Sequence, residues 1–279
     1  MTDGEMENLP AFARLKGKSG GKIHMKQTLR VTLVANAGLL IEFGDVTLLM
    51  DGIYGREGHP FSNLDDDTWR RLEAGEPPFE KIDYLLFTHA HPDHFSPLMT
   101  KEFLTHRKVK GIFLPDTRSV RESGLPELLK GSGIPAVFLS EGTDHAAYRI
   151  EPELTVRAFS TRHLDKKFYH VHHFCYLISF GEKNILFTAD VDYTSEDFSR
   201  IARFPLHAVF VNPLFFADLR RGRFFHGVLD PTYYCIYHVP FSKDDGMHMR
   251  PTLANDLVKW PMERQGTFVL CDAYQHIEL

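Results

Sequence analysis

The segment Leu-Phe-Thr-His-Ala-His-Pro-Asp-His-Phe (86–95) places four metal-ligating side chains, His89, His91, Asp93 and His94, within six consecutive positions. Imidazoles and carboxylates are the donors that hold borderline cations such as zinc, and also manganese or ferrous iron. The ordinary alternative is an exposed histidine-rich loop with a helix-capping aspartate, and the strand-turn-helix setting argues against it. Residues two apart at the end of an extended strand point the same way, which gives His89 and His91 one direction. Pro92 fixes φ near about −65° and suits the first turn of a helix, which swings Asp93 and His94 away from that direction. One short segment can therefore serve two neighbouring metal positions, His89/His91 at one and Asp93/His94 at the other.

The rest of the chain must position these groups. With 43% hydrophobic and 25% charged residues over 279 positions, the composition excludes disordered, collagen-like and fibrous classes. The 16 His against 3 Cys allow a metal site of nitrogen and oxygen but not a Cys-rich zinc finger or an iron–sulfur cluster. Cys175, Cys235 and Cys271 are odd in number and far apart, as expected of reduced thiols in a cytoplasmic protein. The acidic, polar start MTDGEMENLP lacks a signal-peptide pattern, and no apolar run is long enough for a membrane helix. A net charge of −5 supplies no global basic field, so nucleic acid is not an expected partner.

Residues 1–26 read as a flexible arm, and 27–279 as a single domain. Antiparallel strands are predicted at 28–35, 38–43 and 46–51, then a short helix capped by Asn63 or Asp65 and ended by Gly75. The apolar run 82–88 reads as a buried strand, followed by a helix from about Pro92 to Arg107. Strands near 111–115, 135–140, 145–150, 154–161, 172–180, 184–189, 207–212, 233–238 and 267–272 follow, with helices near 116–130, 195–202 and 251–260. Strand runs followed by mixed strand and helix recur in both halves, which suggests two sheets faced by helices.

H-x-H-x-D-H at a strand end resembles the metallo-β-lactamase superfamily of dinuclear hydrolases. Further elements of that pattern occur in order: Asp51 in VTLLMDGIYG, His163 in FSTRHLD, Asp190 in NILFTAD and His238 in YYCIYHVPF. The resemblance spans 29–240 and implies a four-layer αββα sandwich of two mixed sheets. It is strongest toward the branch of lactonases, tRNA 3′-end processing nucleases and related phosphodiesterases. It implies two divalent metal ions, zinc first, with manganese or iron(II) as alternatives. His89, His91 and His163 would hold one ion, Asp93, His94 and His238 the other, and Asp190 would bridge them. A metal-bound hydroxide would attack the substrate, Asp93 accepting and steering its proton, and Asp51 would fix the tautomer of a ligand imidazole. His170, His172 and His173 compete with His163, and His226 and His248 compete with His238.

Departures narrow this expectation. Asp190 stands where class B β-lactamases usually carry Cys, which disfavours antibiotic hydrolysis. His91 stands where the flavodiiron branch usually has Glu, which disfavours oxygen or nitric oxide reduction. The expected activity is hydrolysis of a small ester, lactone or phosphodiester. A nuclease or cyclic-nucleotide phosphodiesterase, or a metal-binding protein without turnover, are the alternatives. Lys166 and Lys167, beside His163, and Arg223, next to Arg220, Arg221, Phe224 and Phe225, are the candidate substrate-binding residues for an anionic small molecule. Each also reads as an ordinary solvated turn. A homo-oligomer is compatible with the sequence.

Overall fold

The period-two alternation of the strands decides how the layers stack. In the strand Leu29–Ala35 (β1), Leu29, Val31 and Leu33 join one apolar cluster while Val34 and Ala35 join another. Gly38–Phe43 (β2) repeats this, with Leu39, Ile41 and Phe43 on one face and Leu40 on the other. Both faces of the sheet are therefore covered, which an alternation of two apolar sets requires.

The computed structural model describes residues 28–55, 58–142, 147–196, 199–220, 229–259 and 266–279. Its first sheet adds Val46–Met50 (β3), Tyr84–Leu86 (β4), Gly111–Pro115 (β5) and Ala136–Leu139 (β6). The second contains Tyr148–Glu151 (β7), Leu154–Thr161 (β8), His173–Phe180 (β9), Lys183–Phe187 (β10), Ala208–Val211 (β11), Tyr233–Ile236 (β12) and Gly266–Val269 (β13). His276–Glu278 (β14) returns to the first sheet beside β1. The orders are β14-β1-β2-β3-β4-β5-β6 and β13-β12-β11-β10-β9-β8-β7, seven strands each. Antiparallel hairpins give way to parallel strands at β3–β4 and at β10–β11, so both sheets are mixed.

Between the sheets, Leu39, Leu48 and Phe113 meet Val156, Tyr176 and Phe210. The first sheet's outer face is covered by Asp66–Ala74 (α1), Pro97–His106 (α2), Arg118–Glu122 (α3) and Leu125–Ser132 (α4), through Leu72, Phe103, Val120 and Leu129. The second sheet's outer face packs against Ser199–Ala202 (α5), Pro213–Arg220 (α6) and Met249–Lys259 (α7), through Ile201, Phe215 and Leu253. The result is the four-layer αββα sandwich.

Asp65, one of the two predicted caps, accepts from Thr68 N at 2.7 Å, and Gly75 ends α1 at φ +68°. The helix expected from Pro92 starts only at Pro97, capped by Ser96. Residues 92–94 instead form one isolated turn, closed by His94 N and Phe95 N on the carbonyl of His91. The predicted swing of Asp93 and His94 is thus made by that turn. Two further elements escape the sequence pattern, α6 and β14. The described residues contain no helix long and apolar enough to cross a membrane. Residues 1–26 lie outside the described residues.

Candidate metal centre

Five strands end on one cluster. Asp51 follows β3, His89 to His94 follow β4, His163 follows β8, Asp190 follows β10 and His238 follows β12. Three of these exits turn sharply, with Asp51 at φ +47°, Ala189 at +44° and His238 at +59°. That left-handed conformation costs an L-residue roughly 1–2 kcal/mol, and such strain gathers where side chains must be aimed.

Asp190 sits at the middle. Its Oδ2 lies 3.9 Å from His89 Nε2, 3.4 Å from His94 Nε2 and 3.7 Å from His163 Nε2, while Oδ1 lies 3.5 Å from His238 Nε2. Ligand atoms of His89, His91, His163 and Asp190 all fall within 4.8 Å of one another, as do those of Asp93, His94, Asp190 and His238. The two groups share only Asp190. The structure therefore brings together all seven residues that the sequence singled out as ligands.

Hydrogen bonding shows whether these residues suit a cation. His94 Nδ1 donates to Asp51 Oδ2 at 2.9 Å, which leaves Nε2 with a lone pair. Thr88 Oγ1 donates to the same Asp51 oxygen at 2.6 Å and is 3.0 Å from His89 Nδ1, so that nitrogen carries the proton it donates. His89 Nε2 is then also a lone pair. His163 Nδ1 donates to the carbonyl of Leu164, and its buried Nε2 has no hydrogen-bond partner. Three imidazoles thus turn their Nε2 atoms toward one carboxylate: that of His163 is unpartnered, that of His89 faces His91 Nδ1 at 3.0 Å, and that of His94 faces His238 Nε2 at 3.0 Å, where its lone pair is free for a cation once the proton shared there has left. This arrangement fits divalent cations, and such outer hydrogen bonds orient metal-ligating imidazoles.

The competing histidines separate cleanly. His170 and His248 are exposed, and His172 pairs with Glu141 at 3.0 Å. His173 is buried, and its Nε2 accepts from the Asp190 amide at 3.2 Å, so it has no free donor atom to offer. His226 lies outside the described residues. Lys167 lines the cleft above the cluster but pairs with Asp165 at 3.3 Å, while Lys166 is exposed and not part of that lining. Arg223 lies outside the described residues.

Several partners were not read from the sequence. Thr88 links Asp51 to His89. Asn36 Nδ2 donates to the carbonyl of Asp93 at 3.1 Å and to its Oδ2 at 3.3 Å. Asn212 Oδ1 accepts from Phe215 N, capping α6, and its Nδ2 donates to Ala189 O at 2.9 Å. The Asn-Pro pair at 212–213 was a usable helix-start signal.

Electrostatics divides the two groups. Burial, followed by neighbouring imidazoles, pushes His89 well below the usual histidine range and His91 down to about 4. Burial also lowers His163. Burial opposes a proton on His238 too, but the Asp190 and Asp93 carboxylates prevail and raise it to about 9. His94 is likewise raised, with Asp93 and Asp190 outweighing its burial. The Nε2 atoms of His94 and His238 are 3.0 Å apart and hold a proton between them above neutral pH.

A cation entering that half must expel the proton, whereas the three-histidine half is already neutral. Below about pH 9 its apparent affinity is expected to fall about tenfold per pH unit, and loading at pH 7 releases about one proton. Calorimetry in buffers of different ionisation enthalpy measures the release. Loading of both halves without proton release would contradict the assignment.

Residues 65–232, well over half of the chain, match the model of the Beta-lactamase superfamily domain. Igni18, a metallo hydrolase from Ignicoccus hospitalis, is 12% identical with a TM-score of 0.57, the alignment covering 90% of this chain and 98% of that one. The metallo-beta-lactamase fold protein YhfI from Bacillus subtilis is 15% identical, with a TM-score of 0.58 and coverage of 91% and 100%. CmlA, a diiron beta-hydroxylase from Streptomyces venezuelae, is 21% identical, with a TM-score of 0.56 and 93% of this chain covered. This chain spans only 55% of CmlA's length. A comparison with curated proteins found no match. The family match, on an αββα sandwich whose strand ends gather seven metal-ligating side chains, shows that the chain belongs to the beta-lactamase superfamily, with the metallo-β-lactamase fold.

Proposed function

We propose that the chain is a metal-dependent hydrolase of small esters or lactones that carry an apolar group. The observation that carries this is a shared carboxylate, Asp190, exposed to a cleft of about 440 Å³ whose walls are largely carbon. Phe61 lies edge-on to His238 with ring centres 4.6 Å apart, and Phe168 lies edge-on to His91 at 4.6 Å. Leu164, Leu214 and Met249 extend the lining. Both phenylalanines line the cleft beside the cluster and shed water when they meet an apolar group of a substrate.

His89, His91 and His163 would hold one cation, Asp93, His94 and His238 a second, and Asp190 both. Divalent cations bound there supply Lewis acidity, lowering the pKa of water and polarising the attacked carbonyl. Asp93 then accepts and directs the proton of the attacking water. In the metal-free protein the charges of His94 and His238 overcome its burial and hold it below the usual carboxylate range, so it is ionised before a cation enters. Asn36 pins one of its oxygens. Zinc is the first expectation, with manganese or iron(II) next.

The subgroup that the sequence most resembles also contains phosphodiesterases. Lys167 at the cleft favours an anionic substrate as the second reading, although Asp165 already compensates its charge.

The test is a panel of p-nitrophenyl esters of increasing acyl length, lactones and bis(p-nitrophenyl) phosphate, with zinc- or manganese-loaded protein. Ester or lactone turnover is expected, lost on chelation and restored by metal. kcat/KM should rise about fourfold per added methylene until the cleft is filled. Undiminished turnover by metal-stripped protein would sink the proposal, and a preference for the phosphodiester would select the second reading.

A further inference from the structure

Among the described residues Asp190 is the one shared by both candidate metal positions, so whatever fixes its backbone fixes the relation between the two halves. All four backbone groups around it are engaged. Ala189 N donates to the Tyr237 hydroxyl at 3.1 Å, and Ala189 O accepts from Asn212 Nδ2 at 2.9 Å. Asp190 O accepts from Leu164 N at 2.6 Å. Asp190 N donates to a side chain from a neighbouring strand, His173 Nε2 at 3.2 Å.

We propose that His173 is a positioning residue, a buried neutral imidazole that holds the Asp190 peptide and so sets where the shared carboxylate lies. A backbone N–H can only donate, so Nε2 of His173 must be unprotonated. The ring proton is then on Nδ1, which lies 2.8 Å from Thr161 Oγ1 and donates to it. Thr161 and His173 face each other across the β8–β9 pair, so the sheet register itself fixes the tautomer. The ring is 1% exposed and packs 5.1 Å from the ring of His89 and 5.6 Å from that of His163. It therefore stands behind two ligand imidazoles while both its nitrogens are spent on protein partners.

The proposal rests on the metal-binding reading of the cluster and is independent of the reaction catalysed. Zinc affinity of the full chain, measured at equilibrium against a chromophoric chelator, is the readout. His173→Phe keeps an apolar ring but no acceptor, and should weaken zinc binding about 10–100-fold, the usual effect of losing an outer-sphere partner. His173→Gln can present Oε1 where Nε2 stood, and should recover affinity to within about threefold of the parent. Thr161→Val leaves the imidazole in place but frees its tautomer, and should weaken binding on the order of tenfold, which preserves the test if His173→Phe does not fold. A packing role alone would make Phe the better replacement. Parent-like affinity in both His173→Phe and Thr161→Val, or a Gln variant weaker than Phe, would overturn the proposal. A parent protein that binds none of zinc, manganese and iron(II) would overturn this proposal and the metal reading together.

Discussion

Asp190→Ala is expected to empty both metal positions in one step and to lower turnover by more than about a thousandfold. Loss of a single preorganised electrostatic group at an active site typically costs 10²–10³ in rate, and Asp190 serves both halves. Its two oxygens lie 3.4–3.9 Å from the Nε2 atoms of His89, His94, His163 and His238. Without it, the only carboxylate left among the proposed ligands is Asp93, 3.5 Å from His94 Nε2 and 3.4 Å from His238 Nε2, so the three-histidine half keeps none and no carboxylate stands between two dications brought there. His163→Ala and His238→Ala remove a donor from one half only. Metal content after dialysis should therefore fall further in Asp190→Ala than in either histidine variant. Equal retention in Asp190→Ala and His163→Ala would contradict a shared role. Circular dichroism should change little, because Asp190 lies in a loop beyond β10 and is partly open to the cleft.

What the sequence disclosed and what it withheld divide along a physical line. Donor type and spacing are local properties, and His89, His91, Asp93 and His94 were legible because a strand end and one turn dictate their directions. Asp51, His163, Asp190 and His238 were legible only as members of an ordered pattern, each at a strand end. The recurrence of strand runs followed by mixed strand and helix suggested the two sheets, whereas the alternating sets of β1, β2 and β9 that fill the layers on either side were read only from the structure. The start of α2 was misplaced because Pro92 suits a helix start as well as Pro97 does, and only the Ser96 cap separates them. Helix α6 was missed although Asn212 and Pro213 begin it, because an apolar PLFF run shows no clear helical face. The three residues of β14 are too short to show a period, and only pairing with β1 makes them a strand.

The groups that orient the ligands were invisible for another reason. Asn36 reaches Asp93 over 57 positions and His173 reaches Asp190 over 17, with no periodic signal linking them. Among the many histidines, His173 and His163 look equivalent until the hydrogen-bond partners of each nitrogen are known. Side-chain polarity can be read along a chain, whereas the question of which lone pair remains free is settled only by folding.

Asp51 offers the sharpest separation between stability and metal binding. It is 1% exposed and accepts from Thr88 N at 2.8 Å, Thr88 Oγ1 at 2.6 Å and His94 Nδ1 at 2.9 Å. Asp51→Ala strands all three donors in the interior. At about 1–3 kcal/mol for each unsatisfied group, metal-free protein should lose several kcal/mol, a large part of the ~5–15 kcal/mol that holds a domain folded. Asp51→Asn behaves differently. Its amide oxygen can keep the Thr88 N–H bond, and its NH₂ group then faces Thr88 Oγ1, which can accept, and His94 Nδ1. To meet that NH₂, His94 must give up its Nδ1 proton and carry it on Nε2, the nitrogen that points toward His238 and Asp190. Thr88, now accepting, turns its hydroxyl proton to His89 Nδ1, which moves the His89 proton to Nε2 as well, so the asparagine satisfies the buried groups by installing wrong tautomers. The thermal midpoint of metal-free Asp51→Asn should stay near that of the parent, while zinc affinity falls about 10–100-fold. Nitrogen-15 spectra of the His94 ring would show the proton moved from Nδ1 to Nε2. Parent-like zinc affinity in Asp51→Asn would mean that Asp51 serves the fold and not the tautomer. Loss of both stability and affinity in Asp51→Ala, with loss of affinity alone in Asp51→Asn, requires that it serve both.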